Sequence, residues 1–187
     1  MARPKGTGGQ AAVLSDKALA KALRLATRDK HKAMLLLSHK AAMRACEIAG
    51  LRWEHVESDY LNLTADITKG AKPRCVPLHP ELKEVLERLR VVSRGDHVIS
   101  SSHRGKGHKM TANAVAVWFN RYYRSCGIKG SSHSGRRGAA TKLARSLPGS
   151  GGSLKDAMDI LGHANLSTTQ RYLETNPNAQ RDAISKL

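Results

Sequence analysis

The feature that most constrains the fold of this chain is a change in the spacing of its apolar residues. In most segments these residues recur at helical spacing, but between positions 60 and 78 apolar and polar residues alternate as they do along half-buried strands. Gly50 suits the end of a helix, and Pro80 suits the first position of the next. The pattern predicts an α+β fold that is mostly helical and contains one small antiparallel sheet.

The same spacing predicts individual elements. Ser15 is a suitable N-cap for a first helix, and a second helix is expected over about residues 31–49. Three short strands are expected at residues 60–63, 65–68 and 74–78. Further helices are expected to begin near Pro80, Thr111, His133, Leu154 and Ser167.

A length of 187 residues fits one domain with short arms. We expect a flexible basic N-terminal arm at residues 1–13, one folded domain at 14–175 and a C-terminal tail at 176–187. The tail could form an amphipathic helix that docks on a neighbouring copy. No apolar run approaches the length of a membrane span, and no apolar segment follows the basic start, so neither a membrane location nor a secretory signal is expected.

The charge of the chain points to a polyanionic partner. Its 32 Lys and Arg residues against 15 Asp and Glu give a net charge of +17, and nucleic acid is the commonest partner of so basic a domain. Basicity alone does not distinguish DNA from RNA or from an anionic membrane. The three cysteines are widely spaced and no His or Cys pair has ligand spacing, so we expect no metal, no cofactor and a reducing cytoplasm.

Four segments carry residues suited to phosphate chemistry. The first contains Arg44 and Glu47 in the spacing R-x-x-E, and the second places Lys69 before Gly70 in the predicted turn. The remaining two are H-S-G-R, which holds His133 and Arg136, and L-G-H followed by T-T-Q-R-Y, which holds His163 and Tyr172.

These segments, in this order, resemble the catalytic domain of the tyrosine recombinases, or phage integrase family. The family's motif has a tyrosine nine residues after the histidine of L-G-H, as His163 and Tyr172 are here. The resemblance covers about residues 14 to 187, and the ordered set is specific although each segment alone is not. It implies cleavage of DNA by a tyrosine, a 3′-phosphotyrosyl intermediate and rejoining without ATP.

The chemistry of a phosphodiester explains these residue types. The transition state carries extra negative charge on its non-bridging oxygens, which the paired N–H donors of Arg44 and Arg136 could hold, with a further hydrogen bond from His163. Tyr172 would be the nucleophile, because a phenol in a cationic field can attack phosphorus. No metal is needed for this stabilisation.

Proton transfer and positioning are assigned to three more residues. His133 is expected to accept the phenol proton, and Lys69 to protonate the leaving 5′-oxygen. Glu47, one helical turn after Arg44, is expected to orient its guanidinium.

Other residues compete for these roles. Lys72 competes with Lys69, Arg137 with Arg136, and Tyr122 and Tyr123 with Tyr172. Candidate DNA phosphate contacts are the cationic residues Arg52, Lys72, Arg74, Arg104 and Lys106.

The chain departs from the family pattern in two respects. Gly135 stands where a bulky apolar residue is usual, which we expect to loosen local packing, and Arg137 stands where histidine is common. About 43 residues precede Arg44, too few for the separate clamp domain of most members. The chain is therefore expected to be a small single-domain integrase, similar to the fimbrial invertases, or a piece cut from a longer chain.

The resemblance predicts a site-specific recombinase that integrates or excises a phage or mobile element in the cytoplasm of a bacterial or phage-infected cell. Its partners would be double-stranded recombination sites, three further copies in a tetramer on DNA, and DNA-bending or directionality proteins. A type IB topoisomerase-like relaxing enzyme and a DNA-binding regulator without catalysis are the alternatives.

Overall fold

The computed structural model describes residues 12–101, 108–163, 165–170 and 185. The helices are α1 (Asp16–Leu25), α2 (Asp29–His39), α3 (Ala45–Gly50), α4 (Pro80–Val92), α5 (Ala112–Ser125), α6 (Ser134–Ser146), α7 (Leu154–Leu161) and α8 (Leu166–Gln170). The strands are β1 (Tyr60–Leu63), β2 (Arg74–Pro77), β3 (Ser100–Ser101) and β4 (His108–Lys109). The predicted mostly helical α+β class is confirmed.

Helix α2 lies at the centre of the fold. Its residues from Ala33 to His39 are all buried, and it packs against α1, α3, α4 and α6. A helix that is buried all round needs apolar or satisfied polar residues on every face, which explains why its sequence shows little amphipathic contrast. The helix thereby provides a rigid support for the elements on either side.

The predicted long helix over residues 31–49 is wrong, because the chain breaks between α2 and α3. The N–H of Met43 donates to the carbonyl of Leu37, and Ala42 has a φ of 51°, in the left-handed region. No Gly or Pro marks this break in the sequence, and its apolar residues are buried as they would be in a continuous helix. The break makes Arg44 the N-cap residue of α3 and not a residue of a helix interior.

The main sheet has two strands, not the predicted three. Strands β1 and β2 pair antiparallel with Leu61 opposite Val76. The predicted strand at residues 65–68 is wrong, because its backbone groups are used in consecutive turns: Ile67 N–H donates to Thr64, and Ala71 N–H donates to Thr68. A second antiparallel pair, β3 with β4, was not predicted.

The first turn of α6 approaches α2 closely. A Cβ atom added to Gly135 would lie 2.4 Å from the Oγ of Ser38 and 2.7 Å from the Cδ2 of His39. The expectation that Gly135 loosens the packing is therefore wrong: the absence of a side chain allows the two helices to approach more closely.

None of the helices in the described ranges is both long enough and apolar enough to cross a membrane.

Candidate active site

Arg44 and Glu47 are joined through both backbone and side chain. The N–H of Arg44 donates to Glu47 Oε2 at 2.7 Å, and its Nη1 donates to Oε1 at 2.9 Å. The side chain of Glu47 is fully buried, whereas that of Arg44 is 20 % exposed. This arrangement closes the first turn of α3 and fixes the guanidinium where solvent, or a substrate, can reach it. It supports the expected orienting role of Glu47.

Glu47 holds a second guanidinium that sequence reasoning did not assign to the site. Arg74 Nη1 and Nη2 donate to the two carboxylate oxygens of Glu47 at 2.9 and 2.8 Å. Burial alone would raise the pKa of this carboxyl, but hydrogen bonds and charge from Arg74 and Arg44 hold the pKa below its usual value. Glu47 is therefore an ionised bridge between two arginines.

Arg74 was expected to contact a DNA phosphate, and its placement favours a different role. Its side chain is 5 % exposed, and its Nε donates to the carbonyl of Ile160 at 2.9 Å. The alternation along β2 carried the signal, because Arg74 shares the buried face of the strand with Val76. A cation on a buried face is usually held by an internal partner rather than by a ligand.

Arg136 reaches the same region from α6. It is buried; its Nη1 donates to the carbonyl of Ala42, and its Nη2 lies 2.5 Å from the carbonyl oxygen of Leu161. Arg44 Nη2 lies 3.4 Å from the carbonyl oxygen of Gly162. Arg136 therefore joins the α2–α3 break to the end of α7, where Arg44 also reaches.

Three arginines thus meet at the C-terminal end of α7. The carbonyls of Ile160, Leu161 and Gly162 each face a different guanidinium, those of Arg74, Arg136 and Arg44 respectively. The last carbonyls of a helix lack intrahelical partners and carry partial negative charge, so they attract cationic donors. The end of α7 therefore gathers positive charge from three distant parts of the sequence.

Gly162 makes this end of α7 compact. It caps the helix in the left-handed conformation, with a φ of 59°. A Cβ atom here would lie 3.0 Å from Cδ of Arg74, so both the backbone conformation and the space favour glycine. The L-G-H segment is thus required for the approach of the arginines as well as for the turn.

His163 follows directly and faces Arg136. Its Nε2 lies 3.2 Å from Arg136 Nη2. Burial and the charges of Arg136, Arg44 and Arg74 lower the pKa of His163 to about 4, so the imidazole is neutral at physiological pH. Because a guanidinium only donates, Nε2 accepts and the ring proton lies on Nδ1.

The other predicted catalytic residues are less closely tied to this cluster. His133 is exposed and caps α6 one turn before Arg136. Lys69 and Lys72 are both exposed in the β1–β2 connection, where Gly70 has a φ of 82°, and the geometry does not choose between them. Arg137 is partly exposed on α6.

Two tyrosines that compete with Tyr172 are engaged elsewhere. Tyr122 donates its hydroxyl to the carbonyl of Ala22 at 2.8 Å, and its pKa is raised to about 12, mainly by burial. Tyr123 is buried with its hydroxyl 2.8 Å from His39 Nε2, and burial also raises its pKa. Neither phenol is suited to act as a nucleophile.

The remaining predicted residues are placed as follows. Arg52 forms surface ion pairs with Glu54 at 2.5 Å and with Asp66 at 3.3 Å. The positions of Arg104, Lys106 and Tyr172 lie outside the described residues, as does nearly all of the tail.

An open cleft lies beside the arginine cluster. Its volume is about 560 Å³, and its charged and polar lining includes Lys72, Arg74, Lys155, Asp156, Asp159 and His163. Within the described part of the chain, no three His, Cys, Asp or Glu side chains are grouped so that they could hold a metal ion. The cleft is lined by charged groups of both signs, and the cationic ones include Arg74 of the cluster.

A family model covers most of this chain. The model of the phage integrase family matches residues 16–179. The chain belongs to the phage integrase family.

Curated relatives include tyrosine recombinases from archaea and bacteria. The chain is 27 % identical over 175 residues to tyrosine recombinase XerA of Pyrococcus horikoshii, covering 92 % of this chain and 60 % of that protein. It is 33 % identical over 160 residues to a tyrosine recombinase of Pseudothermotoga lettingae, covering 82 % of this chain and 52 % of the relative. The chain thus spans little more than half the length of these relatives.

Solved structures show the same fold. A crystal structure of XerA recombinase aligns with a TM-score of 0.75 at 20 % identity, over 94 % of this chain and 64 % of that one. The Tn1549 transposon integrase in complex with a circular intermediate DNA aligns with a TM-score of 0.74 at 16 % identity, over 97 % of this chain and 67 % of that one.

Proposed function

We propose that this chain catalyses site-specific cleavage and rejoining of DNA strands, with Tyr172 as the nucleophile. The observation that carries the proposal is the meeting of Arg44, Arg136 and His163 at the end of α7. This cluster follows from contacts among described residues and does not depend on the family likeness. Tyr172 lies nine positions after His163, which is the spacing of the family motif.

The cationic cluster would bind the scissile phosphate. Arg44 keeps part of its guanidinium accessible, and His163 lies in the lining of the cleft. Donors fixed before the substrate arrives stabilise developing charge without reorganising, which makes this kind of stabilisation effective. Arg136 would add positive charge from behind, since its own donors already hold backbone carbonyls.

The chemical step would exchange one ester for another. The phenolic oxygen of Tyr172 forms a bond to phosphorus while the bond from phosphorus to the 5′-oxygen breaks. His133 takes the phenol proton and Lys69 gives a proton to the 5′-oxygen, so a 3′-phosphotyrosyl ester and a free 5′-hydroxyl result. Attack by a 5′-hydroxyl reverses these transfers and reseals the strand, with no external energy source.

Relatives and structural neighbours suggest the setting of the reaction. The neighbours include an integrase in complex with a circular DNA intermediate, and a lambda integrase dimer bound to a core site. We infer that four copies of this chain act on two duplexes, assisted by DNA-bending or directionality proteins, in the cytoplasm of a bacterial or phage-infected cell. Integration or excision of a phage or other mobile element is the process that such an enzyme would serve.

A nicked suicide duplex tests the nucleophile. Cleavage near the nick releases a short strand, so rejoining is prevented and a covalent complex accumulates. We expect the wild-type chain to form this complex and Tyr172→Phe to form none, as resolved on a denaturing gel. Tyr122→Phe is the matched control, because the Tyr122 hydroxyl is bonded to the carbonyl of Ala22 and does not line the cleft, and this variant should still form the complex.

The same reagents distinguish the alternatives. A topoisomerase-like enzyme would relax supercoiled DNA of any sequence, and a regulator without catalysis would bind the duplex without becoming attached to it. A covalent complex that persists in Tyr172→Phe would refute the proposed nucleophile.

A further inference from the structure

The first turn of α6 carries both His133 and Arg136, so its position sets where two of the proposed site residues lie. That turn rests on α2 at one tight contact. A Cβ atom on Gly135 would lie 2.4 Å from Ser38 Oγ, closer than real Cβ contacts are found. It would also lie 2.7 Å from Cδ2 and 2.9 Å from Nε2 of His39. Glycine at position 135 is therefore required by the two residues beneath it.

The residues beneath Gly135 cannot easily move away. His39 Nε2 is 2.8 Å from the hydroxyl of Tyr123, and both side chains are buried. Burial, together with the charges of Lys142 and Lys40, lowers the pKa of His39 to about 4, so the imidazole is a neutral partner for this hydroxyl at physiological pH. Moving the ring would break a buried hydrogen bond and leave two polar groups unsatisfied.

Ser38 lies at the same contact in an unusual state. Its side chain is fully buried. Among the buried side-chain nitrogen and oxygen atoms of the described residues, its Oγ is the one without a hydrogen-bond partner. An unpaired buried hydroxyl reduces stability, so its presence is not explained by its own bonding. It does occupy the space in which a larger residue at position 135 would place its side chain.

The N-terminal end of α6 is also fixed by the turn that precedes it. The N–H of Ser131 donates to the Oγ of buried Ser134 at 3.0 Å, and the N–H of Ser134 donates to the carbonyl of Ser131. These bonds close the turn that leads into the helix. A displacement of Gly135 from α2 would therefore be transmitted to His133 and Arg136 rather than absorbed by a loose loop.

We propose that Ser38, His39 and Gly135 form a contact that positions the first turn of α6, and with it His133 and Arg136, for the reaction. They are positioning residues, since none of them is placed to touch the substrate. Where a bulky residue is expected at position 135, this chain has glycine, and Ser38 and His39 of α2 fill the space instead. The expected effect on catalysis rests on the proposed function. The packing of Gly135 against Ser38 and His39 does not depend on it.

A rescue experiment tests the contact. Gly135→Ala should slow single-turnover cleavage of the suicide duplex about 100-fold at saturating protein, because a displacement of about 1 Å is enough for such a loss. Its dissociation constant for the duplex should stay unchanged, since the cationic surface is intact. Ser38→Ala alone should slow cleavage far less than Gly135→Ala does, because Gly135 still rests on His39. Gly135→Ala/Ser38→Ala should recover about tenfold over Gly135→Ala, because the closest clash has been removed and the one with His39 remains.

A second glycine serves as the control for replacing glycine by alanine. A Cβ atom on Gly149 would meet nothing within 4 Å, so Gly149→Ala should leave the cleavage rate unchanged. Wild-type cleavage by Gly135→Ala, or a double variant no faster than Gly135→Ala, would overturn the proposal. If Gly135→Ala does not fold, the double variant must still fold and cleave, and its failure would also overturn the proposal.

Thermal unfolding separates this inference from the proposed function. If the wild type forms no covalent complex, the function is refuted. The contact would then still be tested by the melting temperature, which Gly135→Ala should lower and the added Ser38→Ala should partly restore.

Discussion

At the scale of single residues, Glu47 is the group on which the arginine cluster depends. A buried carboxylate is costly unless charged hydrogen bonds compensate it, and here Arg44 and Arg74 both do so. The ion pair between Arg44 and Glu47 also fixes the guanidinium of Arg44, which is partly exposed and available to a substrate. Loss of this one negative charge should therefore affect both stability and chemistry.

Replacing Glu47 by glutamine tests this dependence. Glu47→Gln keeps the size of the side chain but leaves two guanidiniums without a counter-ion, so the free energy of unfolding should fall by about 3 kcal/mol. The cleavage rate at saturating DNA should fall at least about tenfold. Urea unfolding and single-turnover cleavage measure the two effects.

Glu84→Gln is the control for this prediction. Glu84 is exposed and lies 3.7 Å from Arg88 on the surface of α4, so its replacement should change neither quantity measurably. A Glu47→Gln variant with wild-type stability and rate would contradict the role of Glu47.

The residue scale also shows what spacing in a sequence can predict. Arg44, Arg136 and His163 were identified from the resemblance to the family motif, and the structure brings their side chains to one place. Arg74 was expected to contact a phosphate, and the burial of its side chain against Glu47 was not predicted. Its partner Glu47 lies 27 residues earlier, and the sequence contains no local signal that pairs them.

At the scale of elements, the C-terminal end of α7 organises the site. Its free carbonyls attract guanidiniums from β2, α6 and the α2–α3 break. The β1–β2 connection, which presents Lys69 and Lys72, is joined to this end through Arg74 on β2. One end of the exposed β1–β2 connection is therefore anchored near the cluster.

A change of leaving group tests the function of this turn. Lys69→Ala should slow cleavage of an ordinary phosphodiester about 100-fold, because the 5′-oxygen then leaves without a proton. A duplex with sulfur in place of that 5′-oxygen leaves readily as a thiolate, so Lys69→Ala should cleave it nearly as fast as the wild type does. Lys72→Ala, made in the same turn, should show no such difference between substrates.

Either of two results would change this assignment. Rescue of Lys72→Ala by sulfur, without rescue of Lys69→Ala, would transfer the acid role to Lys72. An equal loss on both substrates for both variants would exclude leaving-group protonation from this turn.

Element boundaries were predicted well where a cap or breaker marks them. Ser15, Pro80 and Thr111 begin helices as expected, because their local bonding is decided within a few residues. The break after α2 and the turns at residues 65–68 were not predicted. Both depend on contacts with other elements, which apolar spacing does not reveal.

At the scale of the whole molecule, the fold concentrates part of a large positive charge at the end of α7, beside the cleft. The chain carries a net charge of +17, and the cluster of Arg44, Arg74 and Arg136 is assembled from segments up to 92 residues apart. The single carboxylate of Glu47 offsets only part of that charge. The account therefore rests on the claim that this cleft stabilises negative charge on a phosphate.

The most direct test of that claim removes the charge from the substrate. In a duplex whose scissile phosphate is a methylphosphonate, one charged oxygen is replaced by a methyl group. Arg44→Ala should slow cleavage of the ordinary duplex about 100-fold or more, and this loss should shrink to less than about tenfold on the neutral duplex. Arg52→Ala, outside the cluster, is the control, and any loss that it causes should be the same for both. An Arg44→Ala loss that is equally large on the charged and neutral duplexes would contradict the account.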